Sequence, residues 1–268
     1  MLQNKYLKYK KIDDLIINKL TNLNYFSSLS LNPDAITYLK KNINKIDWYN
    51  FNKNPNCLKL LKKYPENIVW SYLSSNIYII DYLKDNIEYI DWKKLSKNPN
   101  AIEILKENQD KIDWSILSLN TNAIELLKKN YDKINWSNLS LNSNAIELLK
   151  ENYHLIEWNN LSKNPNAIDL LKKNPEKINW NYLSENPSAI SYLLENYNNI
   201  NWNHLSKNPN AIDLLIKNPE KINWIYLSYN INALEIIINN PNKFIWKLDY
   251  ILFSKPQIFK IKYMSSHL

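Results

Sequence analysis

The side chains that could carry out chemistry are few, and they lie apart from one another along the sequence. The histidines are His154, His204 and His267, and none has a cysteine or second histidine at the spacing of a metal site. Aspartate and glutamate recur at regular surface positions, so they do not form one distinct pair in an apolar setting for acid–base work. We therefore expect a protein that is not an enzyme and has no metal site and no cofactor.

Two absent residue types exclude several classes of binding site. Glycine is missing, which excludes a phosphate-binding loop, a dinucleotide-binding turn and a nucleophile elbow. The sequence also contains no arginine, so all 34 basic residues are lysines. Bidentate contacts to phosphate, carboxylate or guanine are therefore excluded.

The net charge of +8 allows two interpretations. A basic surface can attract nucleic acid or another polyanion. Lysines are also interleaved with acids throughout the chain, which is typical of a solvated surface, and the abundance of Asn, Lys, Ile and Tyr indicates A+T-rich codons. Lysine content alone does not decide between the two.

Cys57 is the only cysteine, so an intramolecular disulfide is excluded and a reducing compartment is expected. It occupies a position where most repeats have alanine, which predicts a small buried hydrophobic side chain. The first 20 residues lack the apolar core of a signal peptide. No stretch approaches 18 uncharged apolar residues, so we expect no membrane span.

The elements that position these residues are copies of one unit. The ten tryptophans are spaced 22 residues apart, and a fixed period of this length predicts a solenoid of stacked supersecondary units. We expect an N-terminal cap over residues 1–25, a repeat solenoid over 26–246 and a C-terminal cap over 247–268. The tryptophans are Trp48, Trp70, Trp92, Trp114, Trp136, Trp158, Trp180, Trp202, Trp224 and Trp246.

The residue pattern of each unit predicts two helices, and the chain is therefore expected to be an all-α solenoid of about ten units. A short helix A of one or two turns begins at tryptophan, after a capping Asn or Asp such as Asn179, although the alternation of Ile178 and Trp180 leaves a strand as the rival. Helix B, of about ten residues, begins at Asn164-Pro165, where Asn caps the helix and proline lacks the unpaired amide. Asn174 is expected to end it, in the role that glycine has elsewhere.

Three positions recur in nearly every unit. An asparagine follows each tryptophan position by six residues in all ten units, from Asn32 to Asn230. We expect these side chains to form a capping ladder, and we interpret the serine two residues earlier (Asn52 is the exception) in the same way. The tryptophans are expected in the core rather than as stacking surfaces for bases or sugars. A core position predicts that Trp136→Ala costs roughly 3–5 kcal/mol.

Function in a repeat is expected where the repeat is broken. The positions one, two and five residues after tryptophan vary most, and exposed Tyr, Leu and Ile are typical of protein contacts. Neutral drift at solvent positions is the alternative. The candidate partner-binding residues are Tyr72, Lys93, Lys94, Ile116, Tyr182, His204, Ile225 and Tyr226.

The motif L-S-x-N-P-N-A-I-x-L-L-K-K-N-x-x-K-I-N/D-W resembles a short tandem repeat found in proteins of giant double-stranded DNA viruses that infect amoebae. The resemblance covers roughly residues 26–246. It implies a viral or virus-derived protein that acts in the host cytoplasm or is packed in the virion. It implies no catalytic residues.

The sequence therefore favours a non-enzymatic scaffold that binds an unidentified protein, by analogy with other solenoids. Nucleic-acid binding through the lysine rows, without sequence specificity, is the second hypothesis, and it predicts a steep loss of affinity with salt. A structural virion component is the third.

Overall fold

The computed structural model describes residues 25–240 and Lys243. Within this part of the chain the secondary structure is entirely helical, in ten units of an α-solenoid. The expected N-terminal cap, apart from Tyr25, lies outside the described residues, as do Trp246 and the expected C-terminal cap.

Helix A begins at the tryptophan in nine of the ten units and at Tyr25 in the first. In eight of those nine units the side chain of the preceding residue caps it, and Val69 is the exception. In Trp180–Glu185, for example, the Asn179 side chain accepts a hydrogen bond from the Tyr182 amide at 3.2 Å. The predicted short helix is confirmed and the strand is excluded for the described units. The ten A helices are Tyr25–Leu31, Trp48–Phe51, Trp70–Ser74, Trp92–Lys97, Trp114–Leu117, Trp136–Leu139, Trp158–Leu161, Trp180–Glu185, Trp202–Leu205 and Trp224–Leu227.

Helix B is four to six residues long. The ten B helices are Ile36–Lys41, Leu58–Leu61, Ile80–Lys84, Ile102–Glu107, Ile124–Lys129, Ile146–Glu151, Ile168–Lys172, Ile190–Glu195, Ile212–Lys217 and Leu234–Asn239. A 3₁₀ turn follows nine of them, at Ile43–Lys45, Pro65–Asn67, Ile87–Tyr89, Gln109–Lys111, Tyr131–Lys133, Tyr153–Leu155, Pro175–Lys177, Tyr197–Asn199 and Pro219–Lys221. Three more 3₁₀ turns precede a B helix, at Pro33–Ala35, Pro99–Ala101 and Pro187–Ala189.

The prediction of a ten-residue helix B was wrong, and the cause lies at its start. The Oδ1 atom of Asn164 accepts the amide of Asn166, two residues on, and the Ala167 amide bonds back to the Asn164 carbonyl. This tight turn uses three-residue spacing, so α-helical bonding starts only at Ile168.

The end of helix B also differs from the prediction. Asn174 has φ of −138°, so it does not take the left-handed conformation in which asparagine replaces glycine. Its Nδ2 atom instead donates to the Leu170 carbonyl at 2.8 Å, which satisfies a free carbonyl of the last turn. In this unit Pro175 follows, and a residue before proline is disfavoured in the α conformation.

The asparagine ladder predicted from the repeat is confirmed. Nδ2 of Asn164 donates to the Ser140 carbonyl at 3.0 Å and to the Asn142 carbonyl at 2.9 Å, both in the preceding unit. All the asparagines from Asn54 to Asn230 in this series make the same pair of bonds, at 2.7–3.2 Å. These side chains are almost completely buried. Each one therefore ties its unit to the unit before it.

The serines form a second ladder. Oγ of Ser140 donates to the Trp136 carbonyl at 2.8 Å and accepts the Glu157 amide at 3.0 Å, so it joins the helix A of its own unit to the start of the next. Asn52, the exception to serine, makes equivalent bonds to the Trp48 carbonyl and from the Val69 amide. Among the described residues no buried side-chain nitrogen or oxygen lacks a hydrogen-bond partner.

The core is made of small and aliphatic side chains, and the tryptophans lie at its margin. Leu161, Ala167 and Leu171 are completely buried in their unit, whereas Trp158 is only half-buried and packs against the core. The prediction that tryptophan belongs to the core was therefore only partly right. The outer side of the indole is covered by polar neighbours: Lys177 Nζ lies 4.6 Å from the centre of the Trp158 ring.

Cys57 is completely buried, as its alanine-like position predicts. Burial raises the pKa of its thiol to about 12. None of the described helices has the length and apolar character needed to cross a membrane.

Candidate functional site

The candidate contact residues share one surface, because helix A begins at the tryptophan in nine of the ten units. We call this surface the helix-A face and define it by the positions one, two and five residues after each tryptophan. The cap fixes its orientation: Oδ1 of Asp113 accepts the amide of Ile116 at 3.0 Å, and Oδ1 of Asn201 accepts the amide of His204 at 3.2 Å. Side chains at one position therefore form a column along the solenoid.

Three of the predicted residues meet in a cluster at the C-terminal part of this face. The ring of His204 lies 6.4 Å from the ring of Tyr182 and 5.8 Å from that of Tyr226, edge to face in both pairs. The Nδ1 atom of His204 lies 2.7 Å from Oε1 of Glu185, and Nζ of Lys207 lies 2.9 Å from the same oxygen. We call these five residues, which come from three consecutive units, the Tyr-His cluster.

Lysines cover two of the tyrosine rings. Lys163 Nζ lies 3.8 Å from the centre of the Tyr182 ring, and Lys207 Nζ lies 4.4 Å from that of Tyr226. Contacts of a cation with an aromatic face are favourable and orient both groups. The cluster therefore presents ordered aromatic and charged side chains.

The electrostatics of the cluster centre on Glu185. Partial burial raises the pKa of its carboxyl, but hydrogen bonds from Lys207 and His204, together with their charges, have the larger combined effect. The pKa of Glu185 consequently lies below its ordinary value of 4.5. The carboxylate accepts from both neighbours and links two units.

Tyr72 belongs to a separate group at the N-terminal part of the face. Its ring lies 5.9 Å from that of Tyr49, in an edge-to-face arrangement, and Lys53 Nζ lies 4.3 Å from its centre. This group repeats the lysine–tyrosine contact of the Tyr-His cluster, with Lys53 in the position that Lys163 and Lys207 occupy in their own units.

The remaining predicted residues do not join either group. Lys93 and Lys94 are exposed, Ile116 is half-buried and Ile225 is exposed on the face. Between the two groups the face mixes apolar and polar side chains: Leu119 and Leu141 lie at its positions, and Nδ2 of Asn138 donates to the Ser115 carbonyl at 2.8 Å, one unit back. The face is therefore continuous, but its chemical character changes along its length.

The structure adds residues that the sequence list omitted. Glu185, Lys163 and Lys207 occupy the fifth position after tryptophan, and their contacts with Tyr182, His204 and Tyr226 make the cluster. Glu185 is the only acid at that position among the described units. That break in the repeat was the signal that could have identified it.

No group of three His, Cys, Asp or Glu side chains that could hold a metal ion occurs within the described residues. His154 is exposed and lies apart from the cluster, and His267 lies outside the described residues.

The lysines of helix B form ion pairs with glutamates in the middle of the chain. We call them the lysine row: Lys40, Lys62, Lys84, Lys106, Lys128, Lys150 and Lys172. In three consecutive units the row pairs with the glutamate three residues earlier, at 2.8 Å for Lys106, 3.3 Å for Lys128 and 2.7 Å for Lys150. Compensated lysines attract a polyanion weakly, so the middle of the row is a poor nucleic-acid surface.

The tryptophan rings are a poor stacking surface for bases, because lysines lie over them. Lysine ammonium groups lie 4.4–4.9 Å from the centres of four of them, and the ring edges contact tyrosines in some units. The four rings are those of Trp92, Trp114, Trp158 and Trp202. A base would have to displace the lysine before it could stack.

Comparisons of the chain with protein-family models, with curated proteins and with solved structures give no match.

Proposed function

We propose that this protein is a non-enzymatic interaction scaffold and that its helix-A face binds a protein partner. The observation that carries the proposal is the Tyr-His cluster, in which side chains from three successive units form one ordered aromatic and charged patch. Tyrosine is enriched in the energetically important parts of protein interfaces. The repeat leaves this face variable while it keeps the ladder asparagines and serines almost constant.

The arrangement suits a partner that lies along several units. Each unit contributes a few side chains to the face, and solenoids use such extended surfaces for binding. The lysine–tyrosine contacts hold the side chains in place, which reduces the entropy lost on binding. The viral resemblance extends the proposal to a protein that acts in the host cytoplasm or in the virion.

An affinity capture with matched variants tests the proposal. The full chain is used as bait in host or infected-cell lysate with and without nuclease, beside Tyr182→Ala/His204→Ala/Tyr226→Ala and a control with Lys106→Ala/Lys128→Ala/Lys150→Ala. We expect a discrete protein whose recovery falls at least fivefold with the first variant and is unchanged with the control. Equal recovery with all three baits, or recovery that requires nucleic acid, would overturn the proposal.

A further inference from the structure

A groove at the N-terminal end of the solenoid lies outside the helix-A face. It is formed by the B helices of the first two units and by the loop before the B helix of the third unit. Its volume is about 710 Å³. This volume falls in the range of ligand-binding clefts. Apolar side chains of Ile36, Leu58 and Ile79 form part of its lining, beside Lys40, Lys59, Lys62 and Tyr78.

The charge of the groove comes from a break in the repeat. The position three residues before the row lysine is acidic in five of the seven units that have this lysine, but it holds Thr37 in the first unit and Lys59 in the second. The glutamate that neutralises Lys106 or Lys128 is therefore missing here, and a third lysine is added. None of the ion pairs among the described residues involves Lys40, Lys59 or Lys62.

The described lining contains one acidic side chain, Asp34, against these three lysines. All three lysines are exposed. Positive charges that converge on a concave surface raise the local concentration of anions. Lysine binds phosphate as a point charge and requires no bidentate geometry, so the absence of arginine does not weaken this site.

Tyr78 adds an aromatic surface to the groove. Tyr78 is 63% exposed, and it replaces the asparagine found at this position in most units. Lys62 is positioned by a different ring, that of Tyr82, whose centre lies 5.2 Å from the Lys62 ammonium. Tyr82 in turn stacks on Trp70, with ring planes 8° apart.

We infer that this groove binds single-stranded nucleic acid, with Lys40, Lys59 and Lys62 at the phosphates and Tyr78 stacked on a base. A basic groove with an exposed aromatic ring is the usual arrangement for binding single strands without sequence preference. An acidic peptide would use the lysines but would gain little from Tyr78. The exposed ring therefore favours nucleic acid over a peptide.

Fluorescence anisotropy with a labelled oligothymidylate of about twelve nucleotides tests the inference on the full chain. Lys40→Gln/Lys59→Gln/Lys62→Gln is compared with Lys106→Gln/Lys128→Gln/Lys150→Gln, which removes the same three charges elsewhere on helix B. Circular dichroism confirms that both variants remain folded. We expect the groove variant to bind at least about tenfold more weakly and the control to bind within twofold of the wild-type protein.

Three further readouts separate the site from non-specific attraction. Tyr78→Ala should weaken binding at least fivefold while Tyr78→Phe restores it, because stacking needs the ring and not the hydroxyl. The slope of log affinity against log salt should be about −2 for three phosphate contacts. Equal losses in the two triple variants, no effect of Tyr78→Ala, no binding by the wild-type protein at low salt, or equal competition by polyglutamate would each overturn the inference.

Discussion

The Nδ1 atom of His204 lies 2.7 Å from Oε1 of Glu185, although the two residues are 19 positions apart. The short distance arises because adjacent units present their A helices side by side. The same carboxylate oxygen accepts from Lys207 at 2.9 Å. Glu185 therefore couples two units by contacts between side chains. The two ladders couple them by bonds between side chains and the backbone.

This coupling should depend on pH. The pKa of Glu185 is lowered in the folded protein relative to its ordinary value of 4.5, so its stabilising effect is present above that value. The effect should be lost as the pH falls through the folded pKa. We expect the coupling energy from a double-mutant cycle of Glu185→Gln with Lys207→Met, measured by urea unfolding, to shrink below pH 4.5. A coupling energy that does not fall at the lowest pH at which the protein stays folded would contradict this assignment.

The asparagine ladder predicts that removing one buried side-chain amide strongly destabilises the fold. Asn164→Ala would remove the side-chain partner of the Ser140 carbonyl and of the Asn166 amide, and one of the two donors to the Asn142 carbonyl, which keeps the Ala145 amide. We expect a loss on the order of 3 kcal/mol of unfolding free energy. The control is Asn166→Ala, which removes a single exposed bond to the Ser143 carbonyl and should cost below about 1 kcal/mol. Chemical denaturation measures both, and equal losses would show that the ladder has no special role.

The marginal position of tryptophan changes the expected cost of its removal. Trp136 is half-buried and contacts Tyr131 at 5.3 Å between ring centres. We expect Trp136→Ala to cost about 2 kcal/mol, below the roughly 3–5 kcal/mol of a fully buried ring. Leu139, three residues later, is completely buried. We expect Leu139→Ala to lower the unfolding free energy by about 3 kcal/mol. A Trp136→Ala loss under about 1 kcal/mol would show that the indole does not support the fold.

Cys57 should be chemically inert in the folded protein. Burial raises the pKa of its thiol to about 12, and the thiolate is the reactive form. We expect no alkylation by iodoacetamide over an hour at pH 8, with complete labelling in urea, as read by mass spectrometry. Complete labelling of the folded protein on that timescale would show that the second unit opens locally.

The repeat unit and its ladders could be read from the sequence because they depend on local chemistry that recurs ten times. Capping by Asn179 and the positions of Asn164 and Ser140 follow from backbone groups that every helix end leaves free. The length of helix B could not be read in this way. The same Asn-Pro signal starts either an α-helix or a tight turn, and here the Asn166 amide bonds to Oδ1 of Asn164 and closes the turn.

The candidate site was predictable only as a set of positions. The variable columns followed from the period, and Tyr182, His204 and Tyr226 were expected on one face. Their meeting with Glu185 and Lys207 depends on side-chain reach between units, which the spacing of residues does not specify. The compensation of Lys106 by Glu103 could have been anticipated from their separation of three residues on a helix.

The asparagine ladder has a direction, since each donor reaches back to carbonyls of the unit before it. An extra copy of the 22-residue segment would bring its own donors and offer its own acceptors, and no existing contact would need to change. A gene that duplicates or loses whole copies therefore encodes a longer or shorter protein of the same construction. The reach of the molecule is set by copy number, and each added copy contributes its own three residues to the face, which selection can then alter independently.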